Sequence, residues 1–332
     1  MLPAHQDPQR RELSAQDPVK LIIQIPCYNE AATLGLGLDA LPRQVPGFER
    51  VEWLIIDDGS TDQTLQVAQR HGVDHLVRHR HNLSLARAFS SGLSACLHQG
   101  ADVIVNTDAD NQYDARDIPA LTAPVLAGNA ELVIGSRPIE QIAHFSPLKQ
   151  RLGSLIVRLA SGTQVDDATS GFRALSRSAA QRLIVFNNYT YTLETIVQAG
   201  HRQMAIATVP VRVNPDLRPS RLLRSIPSYV WRSIVTIVRI FVIYRPFRFF
   251  ASIGAILFGL GVLIGLRFLW FYLVGSGAGH VQSLILASVL LGMGFQTILV
   301  AFLADLLAAN RRLLEDVRFR LHDQPPPSSR HR

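Results

Sequence analysis

The chain has 332 residues, 48% of them hydrophobic, a formal net charge of +7 and two cysteines. That length holds one large domain and a smaller module. Cys27 and Cys96 lack CxxC spacing and have no histidines at metal-ligand intervals, which argues against a disulfide framework or a zinc site and reads as two reduced core thiols. The positive charge invites a nucleic-acid partner, but the arginines gather between Arg218 and Arg248 and again at Arg311, Arg312, Arg318 and Arg320. Both clusters flank apolar runs, which suits anionic lipid headgroups and not nucleic acid.

Residues 1–18 are polar and proline-punctuated, with no apolar stretch of a signal peptide. They read as a disordered segment that leaves the following domain in the cytoplasm. Residues 19–220 form the first domain. VKLIIQI, VEWLIID, ADVIVNT and AELVIGS are strand-like and rich in branched residues, with helix-compatible segments between them. Near-continuous apolar strands alternating with helices predict an α/β fold with a mainly parallel sheet covered on both faces. Ligands of such sheets bind at the carboxyl ends of the strands.

Residues 221–246 change character. Ser225, Ser228, Arg232, Thr236 and Arg239 recur at three- and four-residue steps, opposite Ile226, Val230, Ile234, Ile237 and Phe241. This predicts an amphipathic helix with a basic stripe lying in the membrane interface; a helix packed on the soluble domain is the alternative. Residues 247–274 and 281–307 are each long and apolar enough to span a bilayer, and residues 308–332 form a basic cytoplasmic tail ending in the disordered DQPPPSSRHR. The connecting GSGAGH carries no Lys or Arg, so both ends of the hairpin are expected in the cytoplasm. Gly261 and Gly265 would let the two helices approach closely, or let two copies associate as a homo-oligomer through the membrane. Arg267 and Asp305 read as interfacial side chains near opposite membrane faces.

Three polar motifs follow strand ends: Pro26-Cys27-Tyr28-Asn29-Glu30, Asp57-Asp58-Gly59-Ser60 and Asp108-Ala109-Asp110. Two carboxylates one residue apart at a strand end do not fill a core, because buried unpaired charge is costly. They suit a hard cation, Mg²⁺ or Mn²⁺, bridging phosphate oxygens; a solvated acidic turn is the bland alternative. Asp57-Asp58 is expected to lead into a helix capped by Ser60 or Thr61, one carboxylate meeting a base or ribose and the other supporting the turn.

Together PCYNE, IIDDGSTDQT, NTDADNQ, the GSR at 135–137 and DDATSGFR at 166–173 resemble the family 2 glycosyltransferases, and more closely their polyprenyl-phosphate branch with two C-terminal membrane helices. The resemblance implies a GT-A fold and an inverting hexosyl transfer from a UDP- or GDP-sugar to a polyprenyl phosphate. It implies that Pro26, Tyr28, Glu30 and Asp57 or Asp58 hold the nucleotide, while Asp108, Asp110 and Gln112 serve the metal and the diphosphate. Asp167 would sit near the acceptor as base or orienting group. Arg137, Arg151 and Arg173 would hold phosphates, a task that suits guanidinium forks, and Ser220-Arg221 would meet the lipid phosphate. Ser84, in HNLSLARAF, stands where many relatives have glycine. A processive polysaccharide synthase would carry a Gln-x-x-Arg-Trp signature, absent here, and a non-catalytic membrane-anchored subunit would have no reason to keep the acidic clusters.

Overall fold

Runs of branched apolar residues with no polar face are satisfied only in a sheet covered on both sides, and the computed structural model shows that sheet. It describes residues 19–138, 165, 167–185, 191–215, 242, 246–275 and 281–322. The chain divides into two units, Met1–Pro219 and Ser220–Arg332.

The first unit holds seven strands: β1 (Lys20–Cys27), β2 (Arg50–Asp57), β3 (His75–Arg78), β4 (Val103–Asn106), β5 (Leu132–Ser136), β6 (Arg173–Ser176) and β7 (Ile206–Pro210). Between them lie α1 (Leu34–Ala40), α2 (Thr64–Arg70), α3 (Leu85–His98), α4 (Ile118–Leu126), α5 (Arg177–Arg182) and α6 (Thr192–His201). The sheet order is β3-β2-β1-β4-β6-β5-β7. All pairings are parallel except those of β6, which runs antiparallel to both β4 and β5. Alternate residues of β1 enter different cores. Leu21, Ile23 and Ile25 join Leu34, Leu38, Ile118 and Leu121 on one face, while Ile22 joins Phe89, Leu93 and Ile196 on the other. The chain order reverses at β1, which has β2 on one side and β4 on the other. That switch point opens a crevice beyond the carboxyl ends of the strands.

The second unit contains α7 (Pro246–Leu273) and α8 (Val281–His322). Both include stretches long and apolar enough to cross a membrane, and they are largely unburied, unlike the core helix of a soluble domain. Their seam is built from small residues seven apart: Gly254 and Gly261 on α7, Ala287, Gly294 and Ala301 on α8, all buried. A Cβ at Gly261 would lie 2.9 Å from the Leu291 backbone N, and one at Gly294 would lie 2.6 Å from that of Phe258. Gly265, expected to share the seam, would meet only the Ala287 Cβ at 3.9 Å, an ordinary contact. The close approach therefore follows a seven-residue period and not the four-residue one, as packed helices with a 3.5-residue repeat require. The helix α8 continues to His322, past residue 307 where the spanning segment is expected to end. The amphipathic segment 221–246 lies outside the described residues apart from 242 and 246.

Candidate active site

The end of β1 runs into Tyr28, exposed at 42%, and then Asn29 in the left-handed region with φ 54°. This loop is sewn to the one after β2. The Asn29 N donates to Ser60 Oγ at 2.9 Å, Thr61 N donates to Asn29 Oδ1 at 2.8 Å, and Glu30 N donates to Thr64 Oγ1 at 2.8 Å. Ser60 and Thr61 are thus spent on this stitch and cap no helix. At the start of α2 Asp62 is the acceptor, taking Thr64 N at 2.9 Å and also its hydroxyl.

The two neighbouring carboxylates of the second motif have separate environments. Asp58, 2% exposed, takes three donors: His79 Nδ1 at 2.6 Å, Leu83 N at 2.9 Å and Ser84 N at 2.9 Å. It fixes the loop that leads into α3, where Ser84 is held at φ 95°. Asp57, 1% exposed, takes Ser60 N on Oδ1 at 2.9 Å, and among the described residues its buried Oδ2 has no hydrogen-bond partner, with the Arg78 guanidinium at 3.5 Å. A buried acceptor with unused capacity calls for a donor from elsewhere.

Asp108 and Asp110 follow β4 on the other side of the switch point. Burial, and then the charge of Asp110, push the Asp108 carboxyl up to about 7, against the pull of Arg137. A positive charge beside the pair would favour the ionised form of Asp108. Among the described residues no group of three or more His, Cys, Asp or Glu is gathered to hold a metal ion, so this pair would bind one only with oxygens supplied by a ligand. The loop that carries the pair is braced from outside. Asp110 Oδ1 accepts from Gln112 N at 3.2 Å, Asn111 has φ 56°, and Asn214 donates through Nδ2 to Asn111 O at 2.9 Å and through its backbone N to Gln112 O at 2.8 Å.

Arg137, just beyond β5, grips Asp167 with both arms: Nε to Oδ2 at 2.7 Å and Nη2 to Oδ1 at 3.1 Å, with Nη2 also reaching Thr169 Oγ1 at 2.9 Å. Although burial works against ionisation, these bonds hold the Asp167 carboxyl below its ordinary range. Arg173 is fully buried. It donates to the carbonyls of Ser170, Thr192 and Ala168 and to Thr195 Oγ1, tying the 167–172 loop to α6. Its donors are therefore turned to the protein and not to the crevice.

Of the sequence candidates, Tyr28, Glu30, Asp57, Asp108, Asp110, Gln112, Arg137 and Asp167 follow the ends of strands or the loop before β6, and Pro26 is buried within β1. Arg151, Ser220 and Arg221 lie outside the described residues. Sequence reasoning missed Asn214 and Tyr113, whose hydroxyl accepts from Gly171 N at 3.0 Å. Neither stands in a motif, and only the fold brings them to the loops they hold.

A mixed, mostly parallel sheet with acidic strand ends flanking a switch point is the arrangement of a GT-A fold, whose ligand site lies at that point. The Glycosyl transferase family 2 profile matches residues 22–184. The segment similar to the family 2 glycosyltransferases is thus the sheet-bearing unit, and two apolar helices follow it. It is 27% identical over 235 residues to the undecaprenyl-phosphate mannosyltransferase of Micrococcus luteus, covering 67% of this chain and 93% of that one. It is 28% identical over 213 residues to the UDP-N-acetylglucosamine–dolichyl-phosphate N-acetylglucosaminyltransferase of Methanococcus voltae, covering 57% and 83%. Among solved structures, glucosyl-3-phosphoglycerate synthase from Mycobacterium tuberculosis superposes with a TM-score of 0.54 at 20% identity, over 68% of this chain and 79% of that one. At that identity the likeness concerns the fold alone.

Proposed function

We propose that this protein transfers a hexosyl group, with inversion, from a UDP- or GDP-sugar to a polyprenyl phosphate at the cytoplasmic face of a membrane, with Mg²⁺ or Mn²⁺ as cofactor. The relatives from Micrococcus luteus and Methanococcus voltae act on polyprenyl phosphates by their names. The synthase from Mycobacterium tuberculosis was solved with Mn²⁺ and UDP-glucose. The observation that carries the reading is the Asp108-Asp110 pair just after the end of β4, beside the switch point of the sheet, where a divalent cation would offset the burial of the Asp108 carboxylate and the neighbouring charge of Asp110.

In this reading Asp57, with its unused buried oxygen, accepts from the donor's nucleoside, and Tyr28 and Glu30 line the same strand edge. Asp108 and Asp110 hold the cation, with Gln112 beside them. The cation would neutralise the charge that develops on the departing diphosphate. A phosphate acceptor is already an anion at neutral pH and attacks without a general base. Asp167 accordingly keeps its charge and orients Arg137, whose Nη1 has no hydrogen bond among the described residues and can receive the acceptor phosphate. Arg173 acts behind this loop. The helices α7 and α8 keep the enzyme at the bilayer that holds its acceptor.

The test is a screen of UDP- and GDP-sugars against undecaprenyl and dolichyl phosphate, read by mass spectrometry of the lipid. A single hexosyl-phosphopolyprenol that disappears with EDTA is expected. Undiminished product in EDTA would remove the metal from this reading, and a polysaccharide product with no sugar-phospholipid would overturn the acceptor.

A further inference from the structure

A chain of buried amides runs behind the acidic pair, and the motifs do not account for it. Gln24 on β1 and Asn106 at the end of β4 are both fully buried and lie in register across the sheet. Gln24 Nε2 donates to Asn106 Oδ1 at 2.9 Å. Asn106 Nδ2 then donates to the Gly171 carbonyl at 2.8 Å and to the Tyr191 hydroxyl at 2.9 Å. Tyr191 is clamped in turn, its ring stacked on Phe89 with centroids 3.9 Å apart. Room for this chain has been made on α3, where a Cβ at Gly92 would lie 2.5 Å from Gln24 Oε1. Buried amides placed against an otherwise apolar sheet are expensive unless fully satisfied, and a satisfied network locks one geometry.

The geometry that is locked lies at Gly171. A Cβ built there would sit 3.0 Å from both Asp108 carboxylate oxygens and 3.0 Å from the Tyr191 hydroxyl. The backbone of Gly171 is not in the left-handed region, so an alanine fits its conformation. The glycine is required by proximity to Asp108 and not by the turn.

We propose that Gln24, Asn106, Gly171 and Tyr191 form a positioning brace that presses the 167–172 loop against Asp108 and sets the direction of its carboxylate, so that the cation loop and the loop bearing Asp167 move as one piece. The brace touches no reacting atom and acts through Asp108. The inference rests on the reading of Asp108 and Asp110 as cation ligands. Partners that orient a metal ligand govern affinity by about tenfold or more.

The experiment titrates Mn²⁺ into the full-length protein in detergent, read by electron paramagnetic resonance, with saturating UDP and, in parallel, GDP. Thermal unfolding without metal is followed alongside. Gly171→Ala is expected to weaken Mn²⁺ binding about tenfold while the metal-free unfolding temperature stays near that of the wild type. Removing the neighbouring hydroxyl gives the added methyl group somewhere to go. The double variant Gly171→Ala/Tyr191→Phe is therefore expected to bind Mn²⁺ more tightly than Gly171→Ala alone, whereas two independent structural lesions would add. Wild-type affinity in Gly171→Ala, or further weakening in the double variant, overturns the brace while leaving the cation site standing. No saturable Mn²⁺ binding in the wild type overturns the cation reading and the brace with it. If Gly171→Ala fails to fold, Tyr191→Phe alone decides: weakened Mn²⁺ binding upholds the brace, and unchanged binding overturns it.

Discussion

At the scale of single residues, adjacent carboxylates at one strand end divide the work according to which of their oxygens the protein has already used. Asp58 has three protein donors and Asp57 has one oxygen left over. Hydrogen bonds to charged groups are worth about 1.5–3 kcal/mol, so Asp58→Asn should lower stability by roughly that amount, seen as a clear fall in unfolding temperature. Asp57→Asn keeps the acceptor for Ser60 N and should leave the unfolding temperature almost unchanged. It should weaken nucleotide-sugar binding about tenfold, equivalent to losing about 1.4 kcal/mol, by calorimetry. The reverse pattern would exchange the two roles. Asp108 supplies a pH prediction. Its folded pKa of about 7 is above the unfolded value of about 3.9, so between those values the folded protein holds a proton that the unfolded chain has released. Stability without metal should therefore fall as pH rises from about 4 to about 7 and level off above that. Asp108→Asn should remove this component of the slope in unfolding curves recorded in EDTA.

At the scale of elements, what a single sequence reveals is what is local. The strands β1, β2, β4 and β5 and the acidic groups that follow three of them are continuous segments whose composition carries their own signal. The antiparallel β6 carries none, because its direction is set by pairing with β4 and β5 and not by the residues Arg173–Ser176. The division between Asp57 and Asp58 depends on His79, Leu83 and Ser84, more than twenty residues downstream. Arg173 reads as a phosphate ligand in the sequence because the full burial of its guanidinium, with its donors on three carbonyls and a hydroxyl, is a tertiary fact. In the hairpin, Gly261 was legible and its true partners were not, since the seven-residue seam needs both helices. That seam makes a discriminating prediction. A methyl at Gly294 would meet the Phe258 backbone N at 2.6 Å and the Gly254 carbonyl at 2.9 Å, and one at Gly292 would meet nothing within 4 Å. Gly294→Ala should push the helices apart and lower the unfolding temperature in detergent, and Gly292→Ala should be neutral. Equal effects would mean that the small residues do not set the helix separation.

At the scale of the whole molecule, the proposed donor is water-soluble and the proposed acceptor is bound to lipid, so the side of the membrane on which the catalytic unit lies decides whether the two can meet. In sequence, Arg245 and Arg248 flank the start of α7, Arg311 and Arg312 lie near the end of the apolar part of α8, and the segment 275–280 has no Lys or Arg. The excess of positive charge at both outer ends predicts that they lie in the cytoplasm and residues 275–280 on the far side. The chain is well suited to testing this by thiol labelling. Its two native cysteines, Cys27 and Cys96, are buried, and burial raises both thiols far above their usual range, so neither offers a reactive thiolate. A cysteine introduced between α7 and α8 as Ser276→Cys should then react with a membrane-impermeant maleimide added outside intact cells, against a near-silent native background. Ser328→Cys, in the basic tail, should react only after the membrane is opened. External labelling at 328 with protection at 276 would invert the topology and put the Asp108-Asp110 site on the side away from the cytoplasmic supply of nucleotide-sugar. Labelling at both positions from outside would mean that α7 and α8 do not span the bilayer as a pair.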